Sequence, residues 1–218
     1  MQSVDEQAQA MNCEIYNLVQ PMKIAAGWFL ELPNKNNLLS LLTLSDGVRA
    51  ESAACKLMEN FSEQCTAETL EDLLEEVARD RARLVRGVGP GGLLPYESQY
   101  TKNADALFSV KEFCSEHDCS QSTNVHESAE QLGMELDMTA FLIARTDALT
   151  HKGRKENYHN EDWKEFWSNH PGTWIRTYAA DMANAANTEY YRAAAKFLIE
   201  LADKVDSIIK QQCLKGSE

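Results

Sequence analysis

Apolar residues recur along this chain at the spacing of helix faces rather than with the alternation of strands. Ile15, Leu18, Val19, Met22, Ala26, Phe29 and Leu30 fall at i, i+3, i+4 and i+7, one stripe of an amphipathic helix. Pro21 interrupts the stripe, which predicts a kink or break near Gln20. A short helix with Leu38, Leu39, Leu41 and Leu42 is expected after Pro33. Asp46 is placed to N-cap a helix burying Ala50, Ala54, Leu57, Met58 and Phe61. Thr66 is expected to cap the next helix, with Leu70, Leu73, Leu74, Val77, Leu84 and Val85 inside. Glu68, Glu71, Asp72, Glu75 and Glu76 crowd its start and Arg79, Arg81, Arg83 and Arg86 its end, an order that complements the helix dipole.

The segment Gly87–Gly92 cannot continue a helix and reads as a helix-ending turn. Helix is expected to resume over 103–116, followed by the polar connector Asp118–His126. From Glu127 to Leu149 the pattern is apolar on two sides. Leu132, Leu136, Ala140 and Ile143 form one stripe, and Met134, Met138, Phe141 and Leu142 the other, as in the middle of a bundle. Glu161–Asn169 predicts a short helix, Pro171 suits the first turn of the next, and a last helix runs from Thr188 to about Cys213. The expectation is an all-α fold: a single bundle of about eight to nine helices with a hinge near 118–126. Parts 1–117 and 127–218 would flank the hinge within one compact domain.

Charge narrows the choice of partners. The 218 residues carry 21 Lys and Arg against 34 Asp and Glu, a net charge of −13. That balance disfavours nucleic acid and anionic membrane surfaces, both of which attract cations, and favours a basic partner. No stretch approaches the ~18 apolar residues of a membrane span, so no stable insertion is expected. The opening residues show no basic segment leading into an apolar one, and the six cysteines form no CxxC. Both features point to a cytoplasmic chain with reduced thiols.

Candidate chemistry is sparse. The glycine-rich segment is followed by no Lys-Ser or Lys-Thr, and no strand leads into it, so it fails as a phosphate loop. Cys114, His117, Cys119 and His126 are residue types that zinc uses, at a spacing unlike a finger or ribbon; they define an alternative reading as a helical metal protein or enzyme. Trp163, Phe166, Trp167, Trp174 and Tyr178 lie at helical spacing and read first as core, second as the edge of a groove for a guest helix. No G-x-S-x-G elbow is present, and no catalytic residue, resident metal or cofactor is assigned.

Three stretches together resemble a known family. Leu84-Val-Arg-Gly-Val-Gly-Pro-Gly-Gly-Leu-Leu-Pro-Tyr-Glu-Ser-Gln-Tyr100 is similar to the G-P-G…P-x-E-S-x-Y segment of the TorD/DmsD/NarJ chaperones. Glu130-Gln-Leu-Gly-Met-Glu-Leu136 looks like that family's D-H-Φ-x-x-E-L helix start, with Glu-Gln in place of Asp-His. Phe166-Trp-Ser-Asn-His170-Pro-Gly-Thr-Trp174, then Tyr190-Tyr191, looks like its closing motif. The resemblance implies a non-enzymatic cytoplasmic chaperone that binds the twin-arginine leader and the apo catalytic subunit of a DMSO-reductase-type molybdoenzyme before export. It places the leader groove near Tyr96, Glu97, Ser98, Tyr100, Glu130, Gln131, Glu135, His170 and Trp174. Glu97 and Glu135 carry a second reading, as caps or ion-pair partners inside the fold. The hinge composition also suggests a homodimer formed by swapping the C-terminal helices.

Overall fold

The computed structural model describes residues 14–36, 38, 53–66, 68–119, 126–151 and 161–215. Among them are nine named helices and no strand: α1 Val19–Leu30, α2 Ala53–Gln64, α3 Leu70–Arg86, α4 Glu97–Thr101, α5 Ala106–Glu116, α6 Leu132–His151, α7 Asp162–Asn169, α8 Pro171–Ala185 and α9 Glu189–Lys215. The all-α expectation holds. Asp46, Ala50, three of the leucines after Pro33 and the centre of the 118–126 connector lie outside the described residues.

Several boundaries differ from the periodic pattern, each for a local reason. The chain turns at Asn17 and Leu18, so Pro21 sits in the first turn of α1, where a missing N–H costs nothing. Thr69 rather than Thr66 occupies the cap position of α3; the two threonines bond to each other, Thr66 N donating to Thr69 Oγ1 at 3.0 Å. Helix α5 starts at Ala106 because Asn103 Oδ1 accepts the Asp105 N–H at 3.0 Å, a side-chain turn that competes with helix. Helix α6 starts at Leu132, five residues late, because 128–131 are used in a turn and a backbone pairing. Phe141, expected inside, is 43% exposed, with the Arg145 guanidinium 5.6 Å from its ring centre.

Helix α1 lies along α6, α8 along α9, and α9 along α2. At the α1–α6 contact a side chain on Gly133 would stand 2.7 Å from the Phe29 Cβ, so the two backbones can meet only at glycine. Trp163, Phe166, Trp167, Trp174 and Tyr178 are all buried, in agreement with their core reading, and so are Tyr190 and Tyr191. Trp28 meets Phe197 edge-on at 5.4 Å, which joins α1 to α9.

Arg81, which the charge order assigned to the dipole-facing end of α3, and its neighbour Asp80 are buried braces. Asp80 accepts the Asn187 and Thr188 N–H groups at 3.0 and 2.9 Å and the Thr188 hydroxyl at 2.8 Å, while its other oxygen accepts from Arg83. It thereby caps the start of α9 from another helix. Arg81 donates to the Phe29 carbonyl at the end of α1, 2.5 Å away. Asp80→Ala leaves these donors without an acceptor in a dry site. It should cost ~3–5 kcal/mol in urea unfolding, against under ~1 kcal/mol for breaking the exposed Lys23–Asp137 pair. Similar losses for the two would show that Asp80 is not a brace.

Candidate functional site

Two separated chain segments meet at a neck. Pro95 and Tyr96 run antiparallel to Gln131 and Leu132: Glu97 N donates to the Glu130 carbonyl at 3.0 Å, and Leu132 N to the Pro95 carbonyl at 2.9 Å. The Glu130 carboxylate accepts the Ser98 N–H at 3.0 Å and so caps α4 from outside. Gln131 Oε1 accepts from Gly133 N at 2.7 Å and Met134 N at 3.3 Å, capping α6 from within. Gln131 thus has a clear task where the family pattern has His: its amide oxygen satisfies the first free donors of the central helix.

Immediately below the neck lies a buried polar hub. Glu97 comes from the first turn of α4, Glu135 from the first turn of α6, and His170 from the corner between α7 and α8. None is more than 3% exposed. His170 Nδ1 donates to Glu97 Oε2 at 2.9 Å, and Trp174 Nε1 to Glu135 Oε2 at 3.0 Å. The remaining Glu135 oxygen, Oε1, has no hydrogen-bond partner. Burial pushes the Glu135 carboxyl well above the usual carboxylate range, and the neighbouring Glu97 pushes it further, while the Trp174 bond pulls the other way. Tyr100 closes the hub on one side, its ring stacked on Trp174 at 5.5 Å and edge-on to Tyr178 at 5.5 Å. Burial and the bond to exposed Asp181 raise the Tyr100 phenol to about 12.

The structure therefore gathers the nine residues singled out from the sequence around one joint, in two tiers. Glu97, Gln131, Glu135, His170 and Trp174 are buried, whereas Tyr96, Ser98, Tyr100 and Glu130 are half-buried. Asp181 was missed, although it shares a helical face with Trp174 and Tyr178 at i+7 and i+3. Beside the neck, the glycine turn is fastened by Val88 N to the Ala82 carbonyl and Leu93 N to the Arg83 carbonyl, at 3.0 and 2.9 Å. A side chain on Gly92 would stand 2.5 Å from the Gly87 carbonyl carbon, so this turn closes only around glycine. Val88 and Leu94 project from it, 58% and 40% exposed.

The other candidate cluster does not converge. Among the described residues, the one group of three His, Cys, Asp or Glu side chains with ligand atoms within 4.8 Å of one another is Glu97, Glu135 and His170. His117 instead turns Nδ1 to the Phe113 carbonyl at 2.9 Å and lies flat on the Phe113 ring. Cys119 donates to the His117 carbonyl, and burial raises the Cys114 thiol to about 11. These are the marks of a packed helix end.

The fold and hub define an all-helical protein whose central polar groups join helix ends around a solvent-facing neck. The model of the nitrate reductase delta subunit family matches residues 48–180, more than half of the chain, and the chain belongs to that family. The family comprises maturation chaperones of molybdoenzymes rather than catalysts, in line with the resemblance to the TorD/DmsD/NarJ proteins. No curated protein matches the chain. No described helix is long and apolar enough to cross a membrane.

The raised Glu135 carboxyl makes a signed prediction. The native state binds this proton more tightly than the unfolded chain, so its stabilising contribution is complete below the ordinary carboxyl value of 4.5 and declines as pH rises toward the raised one. In buffer free of divalent cations, wild-type stability should fall relative to Glu135→Gln as pH rises above 4.5. Parallel urea-unfolding curves across that range would show that the carboxyl titrates normally.

Proposed function

We propose that this chaperone holds the twin-arginine leader of a molybdoenzyme catalytic subunit, and with it the apo-subunit, in the cytoplasm until the cofactor is in place. The observation that carries the reading is the composition of the neck face. Tyr96, Ser98, Tyr100 and Glu130 are half-buried there, Tyr100 bonds to exposed Asp181, and exposed Val88 and Leu94 project from the adjoining turn. A leader of this class offers two guanidiniums followed by an apolar helical segment. Arg forks pair with carboxylates through charge-assisted bonds of ~1.5–3 kcal/mol each, and the apolar segment can lie against the turn. The overall charge of −13 favours the encounter with a basic leader.

On this reading Glu97, Gln131, Glu135, His170 and Trp174 act as positioning residues. They hold the starts of α4 and α6 together, and so set the spacing of the half-buried groups above them. Direct contact of the five with a leader would require the neck to open.

Titration calorimetry with a client leader and its Arg-Arg→Lys-Lys version tests the carboxylate–guanidinium mechanism. Lysine offers a point charge in place of a fork, so affinity should drop ~10- to 100-fold. Asp181→Asn keeps an acceptor for Tyr100 and should weaken the Arg-Arg leader more than the Lys-Lys one. Equal affinities in all four pairings would refute the mechanism.

A further inference from the structure

We infer that Glu97, Glu135 and His170 form a binding site for one divalent transition-metal ion of the zinc class. The site would tie α4, α6 and the α7–α8 corner together. The inference stands on the hub geometry and is independent of leader binding.

Three observations carry it. The ligand atoms of the three side chains all lie within 4.8 Å of one another, close to the separations that donors take around a common ion. All three side chains are buried, yet Glu135 Oε1 has no hydrogen-bond partner. A core oxygen left without a partner is rare and calls for an explanation such as an ion. Finally, Glu135 Oε2 is already oriented by the Trp174 N–H at 3.0 Å, the kind of outer contact that fixes a ligating carboxylate.

The chemistry of the set selects the class of ion. Two carboxylates and a neutral imidazole present a charge of −2, which a dication neutralises. Imidazole suits zinc and iron, whereas magnesium and calcium prefer six or more oxygen donors. Binding displaces one proton from the ligands: that of the Glu135 carboxyl passes to solvent as the metal bonds form, while the neutral imidazole keeps its single proton on the ring nitrogen that does not bind the ion. No electron transfer is involved. The alternative occupants of the gap are one proton shared between Glu97 and Glu135, or a water molecule.

The test uses the full chain, stripped with a chelator and re-equilibrated with zinc chloride. Bound zinc is counted by elemental analysis after gel filtration, and the melting temperature is read with and without the ion. Wild type should retain about one more zinc per chain than Glu135→Gln; at a free concentration ~100 times the dissociation constant its melting temperature should rise on the order of 5–10 °C. Glutamine matches glutamate in shape and keeps the acceptor for Trp174. The variant should therefore fold and show no shift, and zinc on stray thiols should be equal in both proteins. Cobalt(II) loading of the wild type supplies a second measurement that needs no variant: an oxygen–nitrogen site gives weak visible bands without thiolate-to-cobalt charge transfer. Equal zinc content in the two proteins, no thermal shift in wild type, or cobalt bands that arise from thiolate alone would each overturn the site. Leader affinity enters none of these readings, so leader binding stands or falls separately.

Discussion

The constraint that organises this bundle is the need of helix ends for hydrogen-bond partners in a water-poor interior. Four N–H groups at each helix start and four carbonyls at each end have no partner within their own helix. At α3, α4 and α5 the residue in the cap position makes no side-chain cap bond. Other elements supply part of what is missing. Asp80 of α3 serves the start of α9, Arg81 of α3 the end of α1, and Glu130 the start of α4. Each such bond also specifies which helices are neighbours, so polar groups set the topology while the aromatic core supplies most of the apolar burial.

This division explains why the central site is polar and buried at once. A core of tryptophan and tyrosine alone would pack in several similar ways. Glu135 bonded to Trp174, and Glu97 bonded to His170, accept one arrangement of α4, α6 and α8. The same bonds hold the neck in register, and the neck carries the face we propose for client binding. Rigidity below and accessibility above are thus two sides of one joint. The fully buried tier keeps its geometry, and the half-buried tier is free to make contacts.

Most of the architecture was legible from periodicity, because amphipathic stripes survive in α3, α8 and α9 with little competition from local side-chain bonds. Boundaries were less legible where a side chain competes with the backbone: Asn103 delays α5, and the neck delays α6. Burial of Asp80 and Arg81 was invisible, since a charged pair inside a charge-rich helix looks like solvated surface until its partners on α1 and α9 are known. The hub residues were chosen through a family resemblance, which identified them without saying what they touch. Whether Glu97 and Glu135 point outward or inward depended on tertiary contacts across 39 and 73 positions of chain, beyond the reach of any local pattern.

The neck also has an architectural consequence for chain length. Ser98 and Glu130 meet although 32 residues separate them, so everything between, including α5, is a loop tied shut at its base. The entropy of closing a flexible loop grows only logarithmically with its length, by ~0.6 kcal/mol per doubling. Insertions or deletions far from the tie therefore perturb the closure little. A lineage could lengthen or trim this stretch, and reshape what it presents to different clients, while the knot beneath stays the same.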